Sequence, residues 1–379
     1  MKSNSILVGV TEWHGVMHEA TLRPPDGISF TNAREIKKSQ LWPIRSPIKG
    51  YLRKIDSNGV DVIEALISPI LTTGSWIYSL AHYAEALAFN VYGMSIPRQL
   101  RAVYIRQILA RDNCKRIIFW SNAAFDTLAN YGRETNGLLK KKSTVIYPGV
   151  RRPSNLSNIM QARFSGQSRE TSLLFGGDFF RKGGAHVVDA FERAQRIVPN
   201  IRLRLCCDER LDFNTSDIAL RSNYLRRIKE NPGITLGRVA RQEMIDSVLP
   251  TSDIYVLPTY AEAFGFALLE AMAYGIPVIS TNHFAIPEIV SDNINGLLIN
   301  VSQYDCNKMF PGYFVRKIPH DFHEFMSESV FNKIMELLDS GRRRSDMGLA
   351  GIEISQSKFS LEHRNELMRE VYEDSVLRP

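Results

Sequence analysis

The stretch 253–300 constrains the fold more than any other part of this sequence. The short apolar run Ile254–Leu257 is stopped by Pro258, which predicts a buried parallel strand. A helix is predicted over 266–274, because Gly275 follows as a stop signal. Two further strands are predicted over 277–281 and 296–300. Strand, loop, helix and strand form a βαβ unit, and ligands of such sheets bind at the carboxyl ends of the strands.

The loop between the first strand and the helix carries the candidate chemistry. Glu262 lies just beyond the strand, and Gly265 allows the backbone to approach a ligand closely. The amides of Phe264, Gly265 and Phe266 are expected to point out of the helix N-terminus, where anions bind readily. Glu270 follows one turn into the helix, so the two carboxylates can hold different parts of one elongated ligand.

The segment from Glu262 to Ile279, EAFGFALLEAMAYGIPVI, resembles the E-x7-E segment of retaining GT-B glycosyltransferases, family 4 in particular. The later Pro287-Glu288-Ile289-Val290 falls in register with it. The resemblance implies that Glu262 contacts the transferred sugar and that Glu270 binds the nucleotide ribose. The alternative interpretation is two exposed carboxylates beside an amphipathic helix.

A second glycine loop, residues 178–184, follows the predicted strand 172–177. Arg181 and Lys182 lie between glycines and before a helix N-terminus, which indicates an anion-binding loop. The resemblance implies that Lys182 binds the donor diphosphate and that Gly177 replaces an Arg of the family. Arg181 is the candidate to substitute for that Arg; a solvated loop lysine is the alternative for Lys182.

Two further positions follow predicted strands. The strand Trp76–Leu80 ends before His82, which by resemblance contacts the sugar, although Ala81 stands where relatives often have Glu. A plain strand-end histidine is the alternative. By the same resemblance, Arg238 and Val239 lie where relatives seat the nucleotide base.

The positive charge is concentrated in the first half of the chain. Residues 1–165 contain 22 Lys and Arg against 11 Asp and Glu, whereas the remainder contains 25 against 29. A predicted helix over 97–110 places Leu100, Tyr104 and Ile108 on one face. The basic side chains are Arg98, Arg101, Arg106 and Arg111. This surface is either solvated or a docking surface for anionic lipid headgroups. Without an aromatic platform it does not indicate nucleic-acid binding.

Neither cysteines nor histidines indicate a bound metal. The four cysteines have no metal-ligand spacing and are expected to be reduced thiols, which suits the cytoplasm. His14 and His18 are separated by Gly15, which argues against a helical metal pair. No Asp-x-Asp pair occurs, so we expect neither a metal requirement nor another cofactor.

A length of 379 residues favours two domains. The expected organisation is an N-terminal acceptor-side Rossmann-like domain, a polar linker, a nucleotide-sugar-binding Rossmann-like domain and a terminal helix, at residues 1–150, 151–170, 171–357 and 358–379. Residues 22–50 are expected to be loop-like, and 302–330 a surface insertion. By resemblance the fold class is α/β, GT-B, with the two domains facing across a cleft and the terminal helix crossing back to the first. No apolar run is long enough to span a membrane, and no secretory signal is evident.

The predicted function is a retaining hexosyltransferase of polysaccharide or other glycan biosynthesis. It would move a sugar from a nucleotide-sugar donor to a glycan or lipid-linked acceptor, in the cytoplasm or peripherally at the inner membrane face. Two alternatives stay open. One is a GT-B epimerase or phosphorylase; the other is a degenerate, non-catalytic glycosyltransferase-like binding protein.

Overall fold

The chain divides into two compact units, and each unit is built on one parallel six-stranded sheet. Unit 1 comprises residues 1–149 and 359–379, and unit 2 comprises residues 150–358. The computed structural model describes residues 5–13, 16–36, 52–88, 97–132, 137–164, 170–211, 217–309, 315 and 317–377.

Unit 1 contains nine of the described strands and five of the described α-helices. The strands are β1 (Ile6–Val10), β2 (Ile28–Asn32), β3 (Arg34–Glu35), β4 (Arg53–Asp56), β5 (Val62–Leu66), β6 (Ile70–Leu71), β7 (Trp76–Leu80), β8 (Cys114–Phe119) and β9 (Ser143–Val145). The helices are α1 (Val16–Leu22), α2 (Arg98–Ala110), α3 (Asn122–Gly132), α4 (Leu138–Lys142) and α15 (Leu361–Leu377), with a 3-10 helix at Tyr83–Leu87.

The main sheet of unit 1 has the order β2-β1-β5-β7-β8-β9, and β3, β4 and β6 form a small second sheet. The central strands β5 and β7 are buried along their whole length, which explains their nearly continuous apolar sequences. Helix α15 packs on this sheet, with Met368 and Tyr372 among the core residues of β1, β5 and β7. The buried Tyr372 hydroxyl donates to Glu64 Oε2 at 2.5 Å. The terminal helix therefore belongs to the first unit, as the resemblance implies.

Unit 2 contains the remaining elements. Its strands are β10 (Thr171–Gly176), β11 (Ile201–Cys206), β12 (Ile234–Leu236), β13 (Ile254–Leu257), β14 (Val278–Thr281) and β15 (Gly296–Ile299). Its α-helices are α5 (Leu156–Phe164), α6 (Gly184–Ile197), α7 (Ile218–Glu230), α8 (Arg241–Glu243), α9 (Leu249–Thr251), α10 (Phe266–Ala273), α11 (Ile286–Ile289), α12 (Cys306–Met309), α13 (His320–Asp339) and α14 (Gly341–Ser357). A π-helical turn, Met244–Val248, joins α8 to α9.

The sheet of unit 2 has the order β12-β11-β10-β13-β14-β15 with all neighbours parallel. The chain moves outward in one direction from β10 to β12 and then in the other from β13 to β15. The strand order thus reverses between β10 and β13. Such a switch point leaves a crevice at the carboxyl ends of the two strands, which is where ligands of open α/β sheets bind.

Three sequence-based expectations are wrong. The stretch 22–50, expected to be loop-like, contains β2, which pairs with β1 along five residues. The expected linker contains α5, and its buried Arg163 donates to the carbonyl oxygens of Tyr274 and Leu249 at 2.6 and 3.1 Å. The expected insertion at 302–330 contains the start of α13, because Phe322, Met326 and Val330 repeat at helical spacing and are buried.

Candidate functional site

The glycine loop after β10 and the loop after β13 meet at the switch point of unit 2. Lys182 Nζ lies 2.7 Å from Glu262 Oε2 and donates to the carbonyl oxygen of Ala261 at 2.8 Å. Both side chains are 13% exposed. The structure therefore brings together the two residues that are predicted from the sequence to bind different parts of one ligand, the diphosphate and the sugar.

Glycine at two positions of the first loop is required by the backbone. Gly183 has φ +85°, and a Cβ there would lie 2.5 Å from the carbonyl oxygen of Pro258, so only glycine allows the two loops to approach. Gly177 has φ +116°, and a Cβ there would lie 3.3 Å from Lys182 Cγ. Since L-residues rarely adopt that φ, an Arg at this position would require a different backbone.

The charges around Glu262 favour its ionised form. Burial alone would raise the pKa of this carboxyl, but Lys182, the backbone N–H of Ala263 and the positive charge of Arg181 together lower the pKa below its usual value. Arg181 itself is held by Asp178, with an Nη2–Oδ2 distance of 2.6 Å. Arg181 thus lowers the pKa of Glu262 through its positive charge, while its guanidinium is paired with Asp178.

The helix of the E-x7-E segment begins as the sequence predicts. Gly265 caps α10 with φ +115°, and the buried Phe264 ring packs edge-on against Phe266 at 5.4 Å. The first amides of any helix lack partners within the helix, so this terminus favours an anion. Glu270 is paired with Arg241 of α8. A ligand that binds Glu270 therefore has to share the carboxylate with Arg241 or displace the guanidinium.

A cavity of about 330 Å³ lies at the carboxyl ends of β10, β11 and β12. Its lining includes Gly177 and Asp178 from the glycine loop and both residues assigned to the base, Arg238 and Val239. Arg238 pairs with Asp208 at 2.5 Å and is otherwise exposed. The Arg238 segment and the glycine loop thus line one cavity.

In unit 1, His82 is the N-cap of the 3-10 helix. Its Nδ1 accepts a hydrogen bond from the backbone N–H of Ala84 at 3.0 Å. Burial, and then the positive charge of Arg98, lower the pKa of His82 to about 4. At neutral pH the ring is therefore uncharged with its proton on Nε2, and Nε2–H is a hydrogen-bond donor.

Glu85 lies one turn after His82 and was not singled out from the sequence. Its Oε2 accepts from the backbone N–H of Ala81 at 3.3 Å. Burial raises the pKa of Glu85 to about 7, and the negative charge of Glu12 adds to the rise, against the lowering effect of the Ala81 and His82 amides. The sequence signal that could have identified Glu85 is its position, since it is a polar side chain shortly after the end of β7.

The apolar face predicted for helix α2 is only partly buried. Ile108 is buried, whereas Leu100 and Tyr104, assigned to the same face, are 61% and 42% exposed. Val103, also 42% exposed, extends their apolar surface. Among the described helices none is both long and apolar enough to cross a membrane.

No group of three or more metal-ligating side chains occurs among the residues described above. His14 and Gly15 lie outside the described residues, so the expectation that they and His18 form no metal site stays a prediction. The four cysteines are free thiols. Burial raises the pKa of Cys207 to about 12, so this thiol is protonated at neutral pH.

Comparison with known structures defines the class of the fold. WaaG, a glycosyltransferase involved in lipopolysaccharide biosynthesis, superposes with a TM-score of 0.60 at 14% identity, over 97% of this chain and 99% of WaaG. HepE of Anabaena in complex with UDP-glucose gives 0.55 at 16% identity, over 84% of this chain and 79% of HepE. The two Rossmann-like units thus have the GT-B glycosyltransferase fold.

The sequence comparison shows what most of unit 2 is similar to. Residues 158–306 match the family described as glycosyl transferases group 1. Alpha-maltose-1-phosphate synthase of Mycolicibacterium smegmatis is 28% identical over 195 residues, 51% of this chain and 44% of the relative. The matched part of this chain covers between 16% and 55% of the length of several curated relatives. The chain thus has a GT-B fold, and residues 158–306 of its second unit are similar to the glycosyl transferases group 1 family.

Proposed function

We propose that this chain is a retaining hexosyltransferase that uses a nucleoside diphosphate sugar as donor. The observation that carries the proposal is the Lys182–Glu262 pair at the switch point of unit 2. An ammonium group for the diphosphate and a carboxylate for the sugar lie within 2.7 Å of each other there. The family of residues 158–306 supports the same class of reaction.

The leaving group is the centre of the proposed mechanism. As the bond between the anomeric carbon and the phosphate oxygen breaks, the β-phosphate takes the electron pair and gains negative charge. Lys182 has three N–H donors, and among the described residues Ala261 O and Glu262 accept two of them. The third is available to the phosphate, and the amides of Phe264, Gly265 and Phe266 at the N-terminus of α10 would add to its stabilisation. Such preorganised groups are usually the largest catalytic contribution.

The remaining donor contacts follow from the cavity and α10. The nucleotide base would lie against Arg238 and Val239, while Glu270 would accept hydrogen bonds from the ribose diol in competition with Arg241. HepE has been crystallised with UDP-glucose, which makes UDP-sugars the first donors to test. We expect Glu270→Ala to weaken donor binding mainly.

His82 would contribute from unit 1. Its Nε2–H would donate to the sugar or to the acceptor hydroxyl, and its lowered pKa keeps the ring neutral there. With no carboxylate assigned as nucleophile, we propose front-face attack with retention of configuration. The acceptor oxygen would bond the anomeric carbon from the side on which the phosphate leaves, and the acceptor hydroxyl proton would pass to the leaving β-phosphate oxygen. The acceptor would be a glycan or a lipid-linked sugar, and neither a metal nor another cofactor would be required.

A thermal-shift panel of UDP, GDP, ADP and their hexose derivatives tests donor binding, because a ligand bound only to the folded state raises its stability. A transfer assay with glycan and lipid-linked acceptor extracts then tests the reaction. Failure of every nucleotide to raise Tm would refute the proposal. Donor turnover without acceptor would favour an epimerase, and dependence on inorganic phosphate a phosphorylase. Intact binding without transfer would favour a binding protein.

We also propose that unit 1 docks on anionic membrane through α2 and α4. The exposed apolar side chains of α2 are joined by Leu138 of α4, which is 42% exposed. The basic side chains that would meet lipid headgroups are Arg98, Arg106, Arg111, Lys140 and Lys141. Arg101, predicted to belong to this set, instead donates its Nη1 to the carbonyl oxygen of Leu87 at 2.7 Å, and its Nε is buried. Such a surface combines apolar insertion with attraction to anionic lipid. The protein would then act at the inner face of the cytoplasmic membrane.

Vesicle sedimentation tests the docking surface. Vesicles of phosphatidylcholine with phosphatidylglycerol should bind the protein more strongly than pure phosphatidylcholine, and salt should weaken the binding. The double variant Leu100→Ser, Tyr104→Ser should lose binding. The control Leu349→Ser changes an exposed leucine of unit 2 and should not. Equal binding to both vesicle types would exclude the proposal.

A further inference from the structure

The loop after β14 carries a histidine at the same sheet edge as the loop of Glu262. Strands β13 and β14 are neighbours with Leu257 opposite Ser280, so both end at the same edge of the sheet. The Thr281 hydroxyl donates to the carbonyl oxygen of Thr259, which ties the two loops together. His283 follows two residues after β14. Its imidazole experiences the charges of both Glu262 and Lys182.

The backbone on both sides of His283 is held in place. The preceding Asn282 donates its backbone N–H to the carbonyl oxygen of Ile299 at 3.0 Å, and its side-chain oxygen accepts from the N–H of Val301 at 2.8 Å. On the other side, the carbonyl oxygen of His283 accepts from the N–H of Ile286, the first residue of α11, at 3.2 Å. The position of the imidazole relative to β13 is therefore set by the fold.

The residue after His283 is strained. Phe284 has φ +51°, a left-handed conformation that is rare for a bulky side chain. Strain of this kind persists only where the surroundings determine the backbone, and it occurs often at ligand-binding sites. Here it turns the chain sharply between β14 and α11.

The imidazole has hydrogen-bonding capacity left for a ligand. It is half-buried, and among the described residues neither ring nitrogen has a hydrogen-bond partner. Burial lowers the pKa of His283, the Glu262 carboxylate raises it and the Lys182 ammonium lowers it, with a net lowering. A neutral imidazole offers one donor and one acceptor, which suits a hydroxyl group better than a phosphate.

We propose that His283 hydrogen-bonds a hydroxyl of the transferred sugar and so helps to select the donor sugar. The inference rests on the proposed function and deepens it. Lys182 takes the phosphate side of the donor and Glu262 the sugar side, and His283 lies in the loop that follows the neighbouring strand β14. A hydroxyl between a carboxylate and a neutral imidazole can hydrogen-bond to both groups only when it has the right position and configuration on the sugar ring.

The test compares binding of a nucleotide with and without its sugar. Titration calorimetry would measure Kd for UDP, UDP-glucose and UDP-galactose, and for GDP and ADP with their glucose derivatives, using wild type and His283→Ala. We expect His283→Ala to change the Kd of the free nucleotide by less than about twofold. The Kd of the preferred sugar nucleotide should rise about tenfold, the loss of one hydrogen bond in a site.

Two variants separate recognition from structure. His283→Asn retains a donor and an acceptor and should restore part of the sugar affinity. The control His320→Ala removes an exposed histidine of α13 that pairs with Glu324, and it should bind as the wild type does. A histidine that merely held the loop would, on removal, weaken nucleotide and sugar nucleotide equally.

The failures of the two proposals are distinguishable. If no sugar nucleotide binds the wild type, the proposed function fails and this inference fails with it. If wild type and His283→Ala bind the sugar nucleotide equally well, only the present inference is overturned. The same holds if free nucleotide loses as much affinity as sugar nucleotide.

Discussion

Replacing Lys182 by Met should separate the stabilising role of this ion pair from its ligand-binding role. Met retains most of the aliphatic volume but leaves the Glu262 carboxylate, 13% exposed, without its nearest cation. Removing one partner of a buried pair typically costs about 3–5 kcal/mol. Loss of one charge-assisted hydrogen bond to phosphate should cost a further 1.5–3 kcal/mol of binding free energy, roughly 10- to 100-fold in Kd.

The double variant Lys182→Met, Glu262→Gln distinguishes these two effects. A neutral amide at position 262 removes the unpaired charge, so most of the lost stability should return. Affinity for a nucleoside diphosphate should not return, because the ammonium group is still missing. Urea unfolding would measure stability, and titration calorimetry with UDP would measure affinity.

The pH dependence provides a second readout. Because the pKa of Glu262 is lowered in the folded protein, its ionised carboxylate contributes stability above its unfolded pKa, and that contribution is lost as pH falls through the folded value. In Lys182→Met burial should raise the pKa of the unpaired Glu262 carboxyl, so the variant takes up this proton at a higher pH than the wild type does. The stability difference between the two should therefore be largest near neutral pH and shrink as the pH falls.

A matched control and a refuting result complete the experiment. Lys333→Met removes a lysine that pairs with Glu336 at 3.2 Å on the surface of α13, and it should cost at most about 1 kcal/mol. If Glu262→Gln does not restore stability in the Lys182→Met background, the lost stability does not come from the unpaired carboxylate. The ligand assignment is refuted if UDP affinity is the same with and without Lys182.

Three further changes test other parts of the molecule. Arg163→Met removes the guanidinium that fixes α5 and should cost about 2–4 kcal/mol in urea unfolding; an unchanged midpoint would show that α5 is not anchored by it. Since the pKa of Glu85 is raised to about 7, the folded protein holds this proton more tightly and loses stability as pH rises from about 4.5 to 7. Glu85→Gln should remove that slope, and identical slopes would contradict the burial argument. Gly183→Ala should cost more than about 2 kcal/mol in thermal or urea unfolding, because a clash with Pro258 adds to the strained φ. Gly137→Ala, with φ +64° and no described atom within 4 Å of its Cβ, should cost only about 1 kcal/mol, and equal losses would contradict the steric part.

The sequence predicts the fold best where one local signal dominates. The strand Ile254–Leu257 has the predicted limits, and the helix after it begins at the predicted Phe266. Both are bounded by Pro or Gly, whose effects on the backbone are local. By contrast, β2 lies among prolines and was missed, because its strand character depends on pairing with β1. The start of α13 was missed although Phe322, Met326 and Val330 repeat at helical spacing, because it was interpreted together with the irregular stretch that precedes it.

Candidate site residues, too, could be predicted only where a local motif marks them. Lys182 and Glu262 were found from motifs, but their direct contact requires β10 and β13 to be neighbours in the sheet. The pairing of Glu270 with Arg241 joins segments about thirty residues apart, and no local pattern predicts it. His283 carries no motif and becomes a candidate only when β14 is placed beside β13.

Unit 1 is formed by two stretches of the chain that are separated in sequence by the whole of unit 2. This determines when unit 1 can be completed during synthesis. On the ribosome, residues 150–358 emerge between the strand that carries Glu64 and the helix that carries Tyr372. Until the last helix is made, Val8, Val62 and Ile77 of the first sheet lack their packing against Met368 and Tyr372, while the second unit already has all of its own residues. Proteolytic removal of that helix should likewise disable the first unit and spare the second.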